Sequence, residues 1–115
     1  MRANVYFTRE ITPEKVVELY RALGVELPGK VAVKVHSGEK GNQNFLRPEF
    51  WCPMVEEVHG TIVECNTAYG DAAGGVRDHT ESHRKLLQEH GWTKYFDVDL
   101  MDAEEIAGVL SQLHV

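Results

Sequence analysis

Positive charge is in short supply in this chain of 115 residues: 12 Lys and Arg stand against 18 Asp and Glu, a formal net charge of −6. That balance argues against a non-specific nucleic-acid binder, which needs basic patches to neutralise phosphates. Cysteine is equally scarce. Cys52 and Cys65 are the only two, 13 residues apart. This is neither a zinc nor an iron–sulfur spacing, and it reads as two free thiols of a reducing compartment. No apolar run approaches the roughly 18 residues of a membrane span. The opening Met1-Arg2-Ala3-Asn4 does not read as a secretory leader. A cytoplasmic protein without membrane or nucleic-acid partners is the expectation. The length suits one domain over residues 1–115 with a real core of its own.

The few prolines are informative by position. Thr12-Pro13 opens a helix with Thr as cap, Val16, Val17, Leu19, Tyr20 and Leu23 supply its apolar stripe, and Gly24 ends it. Pro28-Gly29 marks a turn. Pro48 starts a second helix reaching about His59, and Pro53 inside it predicts a broken first turn near Trp51-Cys52. A third helix is expected from about Arg77 to His90, closed by Gly91, and a last one from Asp102 with Glu105 in a capping box.

Between these lie strand-like runs: Asn4 to Thr8, Lys30 to His36, Thr61 to Cys65 and Tyr95 to Leu100. The second is nearly continuous in valine, as strands buried on both faces of a parallel sheet are. Regular strand–helix alternation predicts a three-layer α/β/α domain, Rossmann-like, with a mostly parallel sheet of about four strands. Right-handed crossovers bring the loops after the strands to one edge, where open α/β sheets bind ligands.

Two polar loops occupy that edge. Val35-His36-Ser37-Gly38-Glu39-Lys40-Gly41-Asn42 follows one strand, and Asn66-Thr67-Ala68-Tyr69-Gly70 follows the next. The first lacks the Gly-Lys-Ser/Thr of a P-loop. Its glycines, with Arg47 at the start of the next helix, suit a small anion. Lys34 and His36 share a strand face. Lys34 needs a counter-charge, and Glu64 and Asn66 have matching spacing on the next strand. If the strands are neighbours in that register, Lys34 faces Glu64 and His36 faces Asn66.

His79, His83, Leu86 and His90 follow helical spacing. His79 and His83, one turn apart, are candidates to share a divalent metal, whereas His90 lies too far along and reads as a structural cap. The catalytic candidates are therefore His36, His79 and Lys34. The ligand-binding candidates are Glu39, Lys40, Asn42, Arg47, Asn66, Thr67, Tyr69 and Gly70. The metal candidates are His79 and His83. Cys65 is expected to be inert.

VAVKVHSGEKGN at Val31–Asn42, Arg47-Pro48-Glu49, Asn66-Thr67-Ala68-Tyr69-Gly70, Arg77-Asp78-His79 and Glu89-His90-Gly91-Trp92 together resemble domain of unknown function number 362, over roughly residues 28 to 100. The resemblance implies a prokaryotic, uncharacterised family often joined to ferredoxin-like 4Fe-4S modules. It singles out His36, Glu39, Lys40, Asn66, Thr67, Tyr69, Gly70 and His79. Lacking cluster-binding cysteines, this chain is expected to hold no iron–sulfur cluster. Trp51-Cys52-Pro53 stands where the family's helix usually runs on smoothly. The chain reads as a short member equivalent to the first half of the family domain: either it is truncated and the missing half contributes part of the site, or a second copy in a homodimer completes it. A remoter likeness of element order is to the amino-terminal domain of nickel-pincer lactate racemases.

The function expected is binding of a small molecule, anion or metal by an α/β domain, with a place beside iron–sulfur or redox metabolism. The alternatives are an enzyme using histidine acid–base chemistry on a small carboxylate, and a non-catalytic assembly half-domain.

Overall fold

A computed structural model of the chain describes residues 2–68 and 75–101. Helix α1 spans Pro13–Leu23. The Thr12 hydroxyl accepts the Lys15 N–H at 3.2 Å, and Gly24 closes the helix at φ 64° with its N–H on the Arg21 carbonyl. These bounds are the ones that the cap, the proline and the apolar stripe predict.

Strand β1 covers Val31–Lys34, β2 Gly60–Cys65 and β3 Asp99–Met101. All three run parallel in the order β1-β2-β3, with Val33 beside Ile62, Lys34 beside Val63 and Glu64 beside Leu100. Between β1 and β2, a 3-10 turn at Pro48–Trp51 leads into α2, Cys52–Val58. The change of helix type falls at Trp51-Cys52, where Pro53 predicts it, and the proline sits in the first turn of α2, where its missing N–H is harmless. Between β2 and β3 come α3, Thr80–Glu89, and the single turn α4, Trp92–Tyr95. Arg21 on α1 forks onto Glu57 of α2 at 2.8 and 2.6 Å. The pair is solvent-facing and adds little to stability.

The core gathers Val35, Ile62, Leu87, Trp92, Val98 and Leu100, with Val33, Phe45, Trp51, Val55 and Phe96 packed partly buried around them. The α/β class with a parallel sheet is as expected, with three strands among the described residues where the residue pattern suggests about four. Asn4–Thr8 forms no strand. β1 is an outer strand and is not buried on both faces: Val31 and Val33 are partly buried and Val35 buried, while Ala32, Lys34 and His36 are exposed. The stretch from Tyr95 is strand only from Asp99. Trp92 and Phe96 both pack on the core, and the Phe96 N–H closes on the Trp92 carbonyl at 3.0 Å, the bond of a helical turn rather than of a sheet ladder. The expected helix from Asp102 lies outside the described residues.

Candidate site at the carboxyl edge of β1 and β2

Past β1, the Val35 N–H still bonds the Val63 carbonyl at 3.3 Å, and the chain then turns at Ser37-Gly38. Two side chains from the far end of the domain hold this turn. The Trp92 indole N–H and His90 Nδ1 lie 3.0 and 2.9 Å from the Ser37 carbonyl. Gly38 adopts φ +93°, and a Cβ there would meet the Phe45 ring at 2.6 Å and His90 Nδ1 at 2.9 Å. Phe45 and His90 stack with centroids 4.5 Å apart. So fixed, Ser37 turns both its N–H (3.0 Å) and its hydroxyl (2.9 Å) onto Oε2 of Glu64.

Glu64 is fully buried on β2. Its Oε1 receives Lys34 Nζ at 2.5 Å and the Cys65 N–H at 3.0 Å, and its Oε2 also receives Arg77 Nη2 at 2.9 Å. Burial pushes this carboxyl's pKa up, but the Lys34 ammonium and the Ser37 and Cys65 amides outweigh burial and hold it down at about 2. Arg77 is itself only 4 % exposed. Its Nη1 donates to Glu39 Oε1 at 2.6 Å and its Nε points at His83 Nε2 at 3.5 Å. Burial favours a neutral guanidine, but hydrogen bonding to Glu39 and the charge of Glu64 prevail, so its pKa is raised.

His83 completes the group from α3, fully buried. The Asn66 amide donates to Thr80 Oγ1 at 2.9 Å, which turns the Asn66 oxygen toward His83 Nδ1 at 3.1 Å. Nδ1 therefore carries the proton and Nε2 is the bare nitrogen facing Arg77. Burial lowers the His83 pKa to about 4, so the ring is neutral at pH 7. Lys34 and Arg77 then balance Glu39 and Glu64, two charges against two, which is what lets the cluster stay buried. Ser37 Oγ lies 3.3 Å from His83 Nε2, in the order nucleophile, base, orienting amide. Both residues are fully buried, and the shorter contact draws the Ser37 proton to Glu64, so the trio braces the fold.

The Lys34–Glu64 pair expected from spacing forms, though not as direct neighbours: Lys34 stands beside Val63, and its flexible stem reaches Glu64. His36 does not face Asn66. It accepts the Gly38 N–H on Nδ1 at 3.1 Å, and its Nε2 lies 3.3 Å from Arg77 Nη1. Asn66 serves His83 instead. Glu39 belongs to the cluster through Arg77, and the Thr67 N–H bonds the Arg77 carbonyl at 2.8 Å, tying the two segments together. Asn42 and Arg47 brace their own loop: Asn42 Oδ1 accepts the Asn44 N–H at 2.7 Å, and Arg47 bonds Gln43 with its guanidinium 4.3 Å over the Phe45 ring. Lys40 is exposed and lines a small cavity of about 100 Å³ with Ser82, Lys85 and Glu89. Tyr69 and Gly70 lie outside the described residues.

The third helix begins at Thr80, not Arg77, so His79 precedes it. His79 is exposed, 3.5 Å from the Asp78 carboxylate, whereas both ring nitrogens of His83 are engaged inside the cluster. The two histidines thus have different surroundings and do not present one face. Among the described residues no group of three or more His, Cys, Asp or Glu is disposed to hold a metal ion. Cys52 and Cys65 are free and partly buried.

Sequence reasoning missed Ser37, Arg77 and the burial of His83 as the centre of the group. Signals existed for each. Alternation from Val33 and Val35 puts Ser37 on the inner face, and His83 stands three and four residues before the buried Leu86 and Leu87. A glutamate following Ile62-Val63 on a strand calls for a buried cation. Comparisons with family models, with curated proteins and with solved structures return no match for this chain.

Proposed function

We propose that this chain is a small-ligand-binding α/β domain whose site is the carboxyl edge of β1 and β2, and that its ligand is a small anion such as a carboxylate. The observation that carries this is the compensated cluster of Lys34, Glu64, Arg77 and Glu39 beneath that edge. A buried ion cluster adds little net stability compared with apolar packing, so its gain is fixed geometry. Arg77 is spent on that frame. Lys34 is likewise paired with Glu64, and the exposed His36 and Lys40 stand beside the frame. The charge of Lys40 at this edge favours an anion over a metal ion. The resemblance to domain of unknown function number 362 selects the same loops and adds the wider proposal of a role beside iron–sulfur or redox metabolism.

Thermal-shift and chemical-shift titrations with acetate, malonate and inorganic phosphate test this reading. At least one of them raises the melting temperature of the wild type and moves the amide resonances of residues 36–42. Saturation at a hundred times Kd stabilises by about 2.7 kcal/mol. His36→Ala and Lys40→Ala, both at exposed positions, keep the fold and weaken the response. No response to any of the three anions, or an equal one in both variants, overturns the reading.

A further inference from the structure

Four apolar side chains near the start of the chain have no place in the core. Val5 is 88 %, Phe7 80 %, Ile11 79 % and Tyr6 45 % exposed. Val5-Tyr6-Phe7-Thr8 is also strand-forming by residue type, with two β-branched residues and two aromatics. Yet it belongs to no sheet, and its hydrogen bonding is a local turn of Thr8 with Glu10 at 3.1 and 3.2 Å.

The sheet carries the complement. β1 pairs with β2 on one side, and among the described residues no backbone group bonds its other edge. A bare strand edge is a template for a further strand. The arm and the edge are matched in length, since β1 has four residues. Strand–helix–strand order is also the pattern that places a parallel strand beside β1. The chain's own arm does not take that place, as the exposure of Val5 and Phe7 shows. It leaves from the cap of α1, which the Arg21–Glu57 fork ties to α2.

We propose that two copies of this chain exchange these arms, so that Asn4–Thr8 of each copy becomes a fourth parallel strand on the β1 edge of the other. Exchange of an identical element closes as a two-fold dimer and leaves no open end. The area suffices. At roughly 100–150 Å² of exposed surface per side chain, Val5, Tyr6 and Phe7 with Ile11 beyond the arm offer about 500 Å² per copy, and two copies with the surfaces they cover reach about 2,000 Å², at the upper end of the standard range for stable interfaces. At half that burial the total is about 1,000 Å², at the lower limit. At the base of the arm, a cavity of about 440 Å³ lined mainly by Ile11, Pro13, Phe45, Leu46 and Phe50, with Arg47 and Glu49 also on its wall, continues from Ile11. This inference does not rest on the ligand reading, because it is argued from the arm and the backbone edge of β1 and not from the charged side chains.

Sedimentation velocity of the full chain across roughly a hundredfold range of concentration tests it, since a dimer is read against protomer concentration. The wild type sediments as a dimer. The double variant Val5→Asp, Phe7→Asp sediments as a monomer, or its dimer weakens at least about tenfold, with an unchanged far-UV circular dichroism spectrum. As a second measurement, chains carrying Tyr6→Cys are mixed with chains carrying Ala32→Cys and oxidised. The mixture gives a crosslinked pair that neither chain gives alone. A monomeric wild type overturns the proposal. So does a dimer that the double variant leaves intact, or a Tyr6→Cys, Ala32→Cys chain that closes its disulfide within one molecule.

Discussion

Arg77 donates in three directions, to Glu39, Glu64 and His83, from a position almost without solvent. Arg77→Ala leaves two carboxylates without their shared partner, one of them fully buried. Breaking a buried ion pair from one side costs about 3–5 kcal/mol, so the urea midpoint falls steeply. Arg77→Lys keeps the charge but not the fork, and is expected to recover only part of that loss. The same cluster sets the response to acid. The folded-state pKa of His83, about 4, lies below its ordinary 6.5, so protonation favours the unfolded chain; stability is lost as pH falls from 6.5 toward 4. The Glu64 pKa, about 2, also lies below its ordinary 4.5, so its contribution is complete above 4.5 and lost as pH falls toward 2. Each displacement corresponds to about 3 kcal/mol. Urea titrations at pH 7, 5 and 4 are expected to show decreasing stability, with a flatter slope between pH 6.5 and 4 in His83→Gln. An equal slope in that variant would sink the assignment. Of this cluster, the Lys34–Glu64 contact was legible because a lysine and a glutamate at the ends of two apolar strands need each other. The role of Arg77 was not, since it follows a long loop whose path no local spacing dictates.

At the scale of elements, legibility follows how local the determining force is. α1 is set by its own Thr12, Pro13 and Gly24, and its bounds agree with the residues to the position. The break between the 3-10 turn and α2 is likewise written in Pro53. α3 starts three residues later than expected because Arg77 is needed in the cluster and the Ser82 hydroxyl bonds the Val76 carbonyl at 2.6 Å, forming the turn that precedes the helix. The β1 strand misled through its composition: an almost unbroken valine run reads as buried on both sides, although its finer alternation separates Val31, Val33 and Val35 from Ala32, Lys34 and His36. The turn after β1 offers a direct test. Gly38→Ala meets both a left-handed φ and the Phe45 and His90 rings. Gly41→Ala meets a left-handed φ of +77° in open space. The second should cost about 1–2 kcal/mol of backbone strain, and the first more than that. Equal urea midpoints for the two variants would show that the Phe45–His90 clamp gives way without penalty.

At the scale of the molecule the Ser37 carbonyl joins the core to the charged cluster. Trp92 is fully buried among Ile62, Leu87 and Leu100, and its indole N–H ends on Ser37, whose amide and hydroxyl in turn hold Glu64. Apolar packing and ion cluster therefore share a side chain at each step, and neither has a separate boundary at which to open. Small single-core domains of this size usually unfold in one step. For this chain the expectation is specific: in a Trp51→Phe background, the fluorescence of Trp92 and the far-UV circular dichroism signal change at the same urea concentration. Trp92→Phe keeps most of the apolar volume but leaves the Ser37 carbonyl with only His90. It should lower stability by about 1–3 kcal/mol, the cost of a lost buried hydrogen bond with some repacking. It should also weaken acid resistance, because the Ser37 turn no longer aims its donors at Glu64 as firmly. A fluorescence transition that runs ahead of the circular dichroism one would mean that the edge opens before the sheet, and that the cluster is a separable layer set on the core.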